Sequence, residues 1–276
     1  MINTNRVFAA AVLGFAGEAF AALDDGKCRG LVLSGGSNYG SWEVGVVWGL
    51  THYGNPEDYY WDVVSGISAG AINTAATTPF APEEVVEMTE FMSDSWASLT
   101  NDMIWHQNPG TTEELLFDSP SFLDDEPAVD FMTSILSPFT EGIKKRFTIG
   151  AVDVGTGQFV TFNQTNTEFS EVPRAAMSSG SIPIAFAPQH FKGHILMDGG
   201  TVWNVNIDSA IKQCTDAGFA PEDIILDVLV CEVLKLDSAD QVSSSAISNF
   251  SRSRDIQKFY RDTDSIFSQL NAYPEV

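Results

Sequence analysis

The stretch WDVVSGISAGAIN, residues 61–73, places one serine between Gly66 and Gly70 at the end of a short apolar run. The apolar residues before the first glycine predict a buried strand, and the small residues after the serine predict a helix that Pro79 ends. In such a strand–turn–helix elbow the serine hydroxyl is exposed on a sharp turn, and the helix N-terminus favours negative charge beside it. Ser68 is therefore a candidate nucleophile.

The segments on both sides of this elbow alternate between strand and helix patterns. Residues 28–36 form an apolar run that ends in glycine, and residues 41–54 carry apolar side chains at helical spacing. Farther along the chain, residues 145–163 predict a hairpin and residues 223–234 predict a buried strand. This alternation predicts a three-layer α/β/α fold with a mostly parallel central sheet.

The chain divides by composition into a main domain and additions to it. We predict the main domain over residues 29–236, with a helical insertion at about 82–142 that is acidic and interrupted by prolines. We expect the insertion to lie near the mouth of the site, and residues 237–276 to form a helical extension packed on the domain. Most large apolar side chains of the insertion should be core rather than ligand contacts; they include Phe91, Met92, Leu115, Leu116 and Phe117.

Residues 1–21 combine an early positive charge, an apolar stretch over 7–17 and a small-x-small pattern at 19–21. This combination is typical of a secretory signal peptide, and the apolar stretch is too short to span a bilayer. The alternative is a buried N-terminal helix, which would leave the protein cytoplasmic. Glycosylation sequons at Asn163 and Asn249 agree with export. We therefore predict a secreted protein, or one in the lumen of the secretory pathway or vacuole.

The composition of the chain limits its partners. The 276 residues are 44% hydrophobic, which suits a globular domain with a full core, and the net charge is −23. So much negative charge repels the phosphates of nucleic acids and strongly anionic membranes. We therefore predict no nucleic-acid partner. Transient contact with zwitterionic or neutral lipid surfaces stays compatible with this charge.

The three cysteines, Cys28, Cys214 and Cys231, lack the spacing of a metal site, and the sequence contains no metal-ligand cluster. One disulfide is allowed by the count. We expect Cys214 and Cys231 to sit as small apolar residues in a helix and a strand. We therefore predict neither a metal nor a cofactor.

A glycine-rich turn follows the first predicted strand and is a candidate oxyanion hole. There, Gly35, Gly36, Ser37 and Asn38 pass from a strand into a helix and expose several backbone N–H groups. A dinucleotide-binding loop is the rival interpretation. Its G-x-G-x-x-G spacing is not matched, because the run that ends at Gly40 lacks the middle glycine.

A serine nucleophile also needs a base, and the residue pattern leaves two candidates. Asp198 ends a predicted strand and precedes the glycine pair 199–200, at the sheet edge where α/β sites form. The other candidate is a histidine triad, in which Asp153 would act with His190 or His194.

Three motifs in order, SGGSNYG at 34–40, GISAG at 66–70 and DGG at 198–200, resemble those of patatin-like phospholipases. The segment SSGSIPIAFAPQ lies between the last two, and the resemblance covers roughly residues 30–232. It implies the patatin-like α/β/α fold and a lipid acyl hydrolase of the phospholipase A or lysophospholipase kind. The substrate would be a lipid or another ester.

The resemblance also implies site roles. These enzymes use a Ser-Asp dyad without histidine, so Ser68 would be the nucleophile and Asp198 the base. An acyl-enzyme would form and then release a fatty acid, with no cofactor. The N–H groups of the oxyanion hole would come from the loop already described. The residues implied at its motif positions are Gly35, Gly36, Ser37, Asn38, Gly40, Gly66, Gly70, Gly199, Gly200 and Asn204.

Three positions depart from the family pattern. Ser37 stands where the family has a third glycine, and Tyr39 stands where it has Arg or Lys. The backbone donor at Ser37 is kept, whereas the missing cation is expected to weaken an oxyanion or head-group contact. Asn206 replaces a frequent proline and should affect only the local turn. The alternative function is therefore a weak or inactive storage or lipid-binding protein.

Overall fold

A computed structural model describes residues 25–231, 235, 236, 238 and 245–276. The predicted signal peptide at 1–21 lies outside the described residues and stays a prediction. The described part contains strands, α-helices and short 3-10 helices. The strands are β1 (Cys28–Leu33), β2 (Val63–Gly66), β3 (His106–Gln107), β4 (Leu123–Asp124), β5 (Arg146–Asp153), β6 (Phe159–Asn163), β7 (Gln189–Phe191), β8 (His194–Asp198) and β9 (Ile224–Leu229). The helices are α1 (Gly40–Tyr53), α2 (Ala69–Thr77), α3 (Val85–Ser98), α4 (Thr112–Phe117), α5 (Glu126–Leu136), α6 (Val172–Gly180), α7 (Ile207–Asp216) and α8 (Ala246–Ala272).

The central sheet has seven strands, with β7-β8-β5-β2-β1-β9 in order and β6 paired with β5. Its middle, β9-β1-β2-β5, is parallel, as the predicted βα alternation requires. Two antiparallel strands, β6 and β8, then pair with β5. The sheet is therefore mixed with a parallel centre, and the predicted fold class is confirmed.

The two faces of strand β1 show how the layers pack. Leu31 and Leu33 belong to a buried cluster with side chains of α1 and α3. Val32 points the other way and packs with Ile207 and Ile211 of α7. Successive strand residues point to opposite faces, so a strand that buries apolar side chains on both faces needs helices on both sides. Burial of each such side chain contributes about 1.5–3 kcal/mol.

A disulfide joins the two layers. Cys28 at the start of β1 is bonded to Cys214 of α7, and their Cα atoms are 5.8 Å apart. The expectation that Cys214 is an unpaired apolar residue is therefore wrong, because the first side chain of β1 faces α7 across the layer. Cys231 is half-exposed and forms no disulfide with a described residue.

Helix α8 is held to the domain by polar contacts. The Gln269 side chain accepts hydrogen bonds from the N–H groups of Ile207 and Asp208 and donates one to the Val205 carbonyl. Gln269 is 8% exposed, so these hydrogen bonds are shielded from solvent. Among the described helices, none combines the length and the apolar character needed to cross a bilayer.

Candidate active site

The nucleophile elbow lies between β2 and α2. Ser68 has φ 53° and ψ −118°, a strained conformation that residues other than glycine rarely adopt. A side chain at Gly70 would not fit, because its Cβ would lie 2.4 Å from the Leu33 carbonyl oxygen. The glycine after the serine is therefore needed for the first turn of α2 to pass close to β1.

A buried serine on α6 supports the elbow. The backbone N–H of Ser68 donates to Ser179 Oγ at 2.8 Å, and the Ser179 hydroxyl donates to the Gly150 carbonyl of β5. Sequence reasoning missed this residue, since a serine inside a helix has no local signal of such a role. Ser179 therefore ties the backbone of the nucleophile to the neighbouring strand.

Asp198 ends β8 and lines the same cavity as Ser68. It is 6% exposed, and its Oδ1 accepts the N–H of Gly200 at 2.7 Å. Burial raises the pKa of Asp198 to about 6, although hydrogen bonding by Ser68 and Gly200 and the charge of Lys258 act to lower it. A carboxylate of this kind is ionised at neutral pH and is a stronger base than an ordinary aspartate.

The glycine-rich turn after β1 lines the cavity next to Ser68. The Gly35 N–H donates to the Asn204 carbonyl at 3.0 Å, and Asn204 Nδ2 donates to the Gly35 carbonyl at 3.0 Å. The N–H group of Gly35 is thus already hydrogen-bonded and does not point at a substrate. This corrects the prediction that Gly35 donates to the oxyanion. The N–H groups of Gly36, Ser37 and Asn38 make no hydrogen bond within the described part of the chain.

The residues of the proposed histidine triad lie elsewhere. His194 Nδ1 is 2.7 Å from Asp153 Oδ2, at the opposite end of β8 from Asp198. Four residue steps along a strand separate the two ends by about 13 Å. His190 is exposed on β7, and no histidine is among the cavity-lining residues. The geometry therefore places Asp198, and neither histidine, beside Ser68.

The walls of the cavity come from parts of the chain outside the insertion. It has a volume of about 860 Å³, and none of residues 82–142 lines it. In the insertion, Met92 and Leu115 are buried, whereas Leu116 and Phe117 are exposed away from the cavity. Helix α3 of the insertion packs on α1, which keeps that part of the insertion in the helical layer. The insertion therefore does not line the cavity, and α8 forms one wall of it; the position of the insertion near the mouth stays a prediction.

Asn206, the third departure from the motif pattern, caps a helix. Its side-chain oxygen accepts the N–H of Ser209 at 3.3 Å at the start of α7, and it is 1% exposed. Asn is a favoured N-cap, so this substitution has a local structural role. Within the described residues, no three His, Cys, Asp or Glu side chains are grouped as a metal site requires.

A scan against protein families matches residues 31–211, more than half of the chain, to the family described as patatin-like phospholipase. Solved structures similar to the chain include the following two. The crystal structure of VipD from Legionella pneumophila has 13% identity and a TM-score of 0.41, covering 73% of this chain and 50% of that one. The type III effector protein ExoU has 12% identity and a TM-score of 0.25, covering 91% and 54%. This chain therefore matches about half the length of each. No curated protein matches it.

Proposed function

Since the chain belongs to the patatin-like phospholipase family, we propose that it is a lipid acyl hydrolase in which Ser68 and Asp198 cleave carboxylic esters. The observation that carries this proposal is the placement of a strained serine and a buried carboxylate in one cavity beside unpaired backbone donors. A nucleophile, a base and an oxyanion hole are the three parts that acyl transfer needs.

The first half-reaction forms an acyl-enzyme. The Asp198 carboxylate accepts the hydroxyl proton of Ser68 while Oγ attacks the ester carbonyl carbon. The carbonyl electron pair moves to oxygen, and the N–H groups of Gly36, Ser37 and Asn38 stabilise that oxyanion, each such donor contributing about 3–4 kcal/mol. The intermediate then collapses, the bond to the alcohol oxygen breaks, and Asp198 returns the proton to the leaving alcohol.

The second half-reaction repeats this sequence with water. Asp198 accepts a proton from water as its oxygen attacks the acyl carbon, and collapse of the second tetrahedral intermediate releases the fatty acid. The same proton returns to Ser68 Oγ, so the enzyme is regenerated. Because the pKa of Asp198 is about 6, the carboxylate is in the basic form at the start of each half-reaction at neutral pH.

Hydrolysis of p-nitrophenyl butyrate and p-nitrophenyl palmitate by the purified protein tests this proposal. We expect turnover by the wild type and its loss in Ser68→Ala. The matched control is Ser134→Ala, which removes an exposed serine hydroxyl of α5 that bonds only to the Phe131 carbonyl. Circular dichroism checks that all variants fold. A wild type that is inert on both esters contradicts the proposal.

An inactive lipid-binding or storage protein is the second candidate, and the position of Tyr39 favours it. Tyr39 lines the cavity and is 61% exposed, so the loop beside Ser68 supplies an aromatic ring where the family pattern has a cation. This candidate predicts saturable binding of a fluorescent fatty acid without ester turnover, and equal binding by wild type and Ser68→Ala.

We further propose that the protein works in an oxidising compartment and contacts zwitterionic or neutral lipid surfaces. The disulfide between Cys28 and Cys214 supports the compartment, since such bonds are rare in the cytosol, and the net charge of −23 supports the choice of lipid. Expression in a eukaryotic secretory host tests the first point. Export with cleavage near residue 21 supports it, and retention in the cytosol contradicts it.

A further inference from the structure

Among the described residues that line the cavity of Ser68, the cations all belong to helix α8. Arg254, Lys258 and Arg261 are spaced at i, i+4 and i+7, so they share one face of the helix, and all three line the cavity. In the described part of the chain, the other charged lining residues are Asp198 and Asp255. In a chain with 37 acidic and 14 basic residues, a wall on which cations outnumber acids is a local reversal of charge.

Arg261 serves as the anchor of this wall. Its guanidinium donates to the carbonyls of Gly200 and Thr201 at 2.9 and 3.0 Å, and Nε donates to the buried Asp262 at 2.9 Å. These bonds occupy the guanidinium and join α8 to the turn that follows Asp198. Arg261 therefore fixes the distance between the helix and the dyad, and its charge is balanced by Asp262.

Arg254 lies two turns before this anchor and faces the cavity. In the described part of the chain, its guanidinium makes one hydrogen bond, to the neutral Gln257 at 3.3 Å, and no ion pair. Lys258 lies one turn farther on; its ammonium is 3.4 Å from Asp262, and its charge reaches Asp198. A guanidinium with several unused N–H donors suits the bidentate recognition of phosphate.

The same face of α8 continues from cations to apolar residues. Ile247 and Phe250 precede Arg254 by seven and four residues and are 82% and 68% exposed. A charged group flanked by exposed apolar surface fits an amphipathic ligand better than it fits a free ion.

We propose that Arg254, together with Lys258, binds the phosphate of a phospholipid whose ester carbonyl lies at Ser68. This inference rests on the proposed function and adds the part of the substrate that the site recognises. Tyr39 stands where the family pattern has a cation, so positive charge enters the cavity from α8, beyond the residues that match the family. The negative charge of the phosphate is thus balanced by cations inside the cavity, even though the chain as a whole is acidic.

Two lipids that differ only in the head group test the proposal. Dihexanoyl-phosphatidylcholine and dihexanoylglycerol are compared below their aggregation concentrations, so that adsorption to a lipid surface plays no part. We expect Arg254→Gln to lower the ratio of kcat/KM on the phospholipid to kcat/KM on the diacylglycerol about tenfold, as loss of a charged phosphate contact implies. Arg254→Lys should recover part of the ratio. The ratio cancels any general effect on Ser68 or Asp198.

The control removes an equal charge elsewhere. Lys212 on α7 is 73% exposed, pairs with Asp216 and does not line the cavity, so Lys212→Gln should leave the ratio unchanged. Turnover of both lipids with the same ratio in wild type, Arg254→Gln and Lys258→Gln overturns the phosphate subsite alone. If the wild type hydrolyses neither lipid, the result contradicts the proposed function and, with it, the phosphate subsite.

Discussion

Strand β8 carries a carboxylate interaction at each end, and only one of them has the surroundings of a catalytic site. At its C-terminal end Asp198 faces Ser68 inside a cavity, and burial raises the pKa of the carboxyl. At its N-terminal end His194 bonds to Asp153, and that hydrogen bond holds the pKa of the Asp153 carboxyl below its usual range. The His194 side chain is 41% exposed. Residue types typical of catalysis are thus present at both ends, and both carboxylates are buried, at 7% and 6% exposure. What distinguishes the Asp198 end is the cavity that it shares with Ser68 and the open backbone donors.

The oxygens of Asp153 explain the difference further. Its Oδ1 accepts the N–H and the hydroxyl of Thr156 at 2.8 and 3.0 Å, and its Oδ2 faces His194. These bonds close the hairpin turn between β5 and β6. Asp153 is therefore a turn-stabilising residue whose acceptors are already occupied.

The largest expected effect comes from neutralising the two carboxylates in turn. Asp198→Asn should lower kcat on p-nitrophenyl butyrate about 1,000-fold or more, because it removes the base while keeping the shape of the side chain. Asp153→Asn and His194→Gln should retain kcat within about twofold of wild type, since neither group touches the cavity. Steady-state kinetics on folded protein decide the matter. Equal losses of kcat in Asp198→Asn and His194→Gln would instead support the histidine triad.

The sequence predicts those features of the site that depend on neighbouring residues, and it does not predict those that depend on contacts between distant segments. The elbow at Ser68 and the strand end at Asp198 follow from local patterns, apolar runs broken by glycine, and the structure places both residues at one cavity. The histidines stayed ambiguous because residue type alone does not report which end of a strand a side chain occupies. His194 and Asp198 are close in sequence yet lie at opposite ends of β8.

Long-range contacts account for what the sequence did not predict. The wall formed by α8 depends on Gln269 and Arg261, whose partners lie about 60 residues earlier in the chain. The bond between Cys28 and Cys214 likewise requires that β1 and α7 face each other, with 186 residues between them. The occupied N–H of Gly35 depends on Asn204, from a different strand–helix connection. None of these contacts leaves a periodic pattern.

The next effect concerns stability, and the two carboxylates should act with opposite signs. The pKa of Asp198 is about 6 in the folded protein, against 3.8 ordinarily, so the folded state binds this proton more tightly than the unfolded state. Its ionisation therefore costs stability as pH rises above 4, up to about 3 kcal/mol above pH 6. Asp198→Asn should be about 1–3 kcal/mol more stable than wild type at pH 8, with no such gain at pH 4.

Asp153 gives the opposite sign because its pKa is lowered. Asp153→Asn should be less stable than wild type at pH 8, and the difference should shrink as pH falls through the acid range. Urea unfolding at pH 4 and pH 8 measures both variants. Burial raises the pKa of Glu43 to about 7. Its ionisation changes the stability of the wild type and of both variants equally, so this contribution cancels when each variant is compared with the wild type. A destabilised Asp198→Asn at pH 8 contradicts the assigned environment.

A smaller effect is expected at the support of the nucleophile. Ser179→Ala removes the acceptor for the Ser68 N–H and should lower kcat about tenfold with little change in KM, since one positioning hydrogen bond contributes about 1 kcal/mol. Ser178→Ala is the matched control, because the neighbouring hydroxyl is equally buried but donates to the Arg174 carbonyl. Ser179→Thr should recover activity in part. Equal losses in both alanine variants would indicate a packing effect on α6 instead.

The smallest effect is a shift in the pH dependence of hydrolysis, and it separates the two ends of β8 without abolishing activity. The rate should rise with pH and reach half its maximum near pH 6, because the ionised form of Asp198 is the base. A histidine base titrates in the same range, so the wild-type profile alone does not distinguish the two. Variants do: Lys258→Gln should move the midpoint upward, since the Lys258 charge helps to keep Asp198 ionised, whereas His194→Gln should leave it in place. If the midpoint shifts in His194→Gln and stays unchanged in Lys258→Gln, the base is His194 at the N-terminal end of β8 and not Asp198 at its C-terminal end.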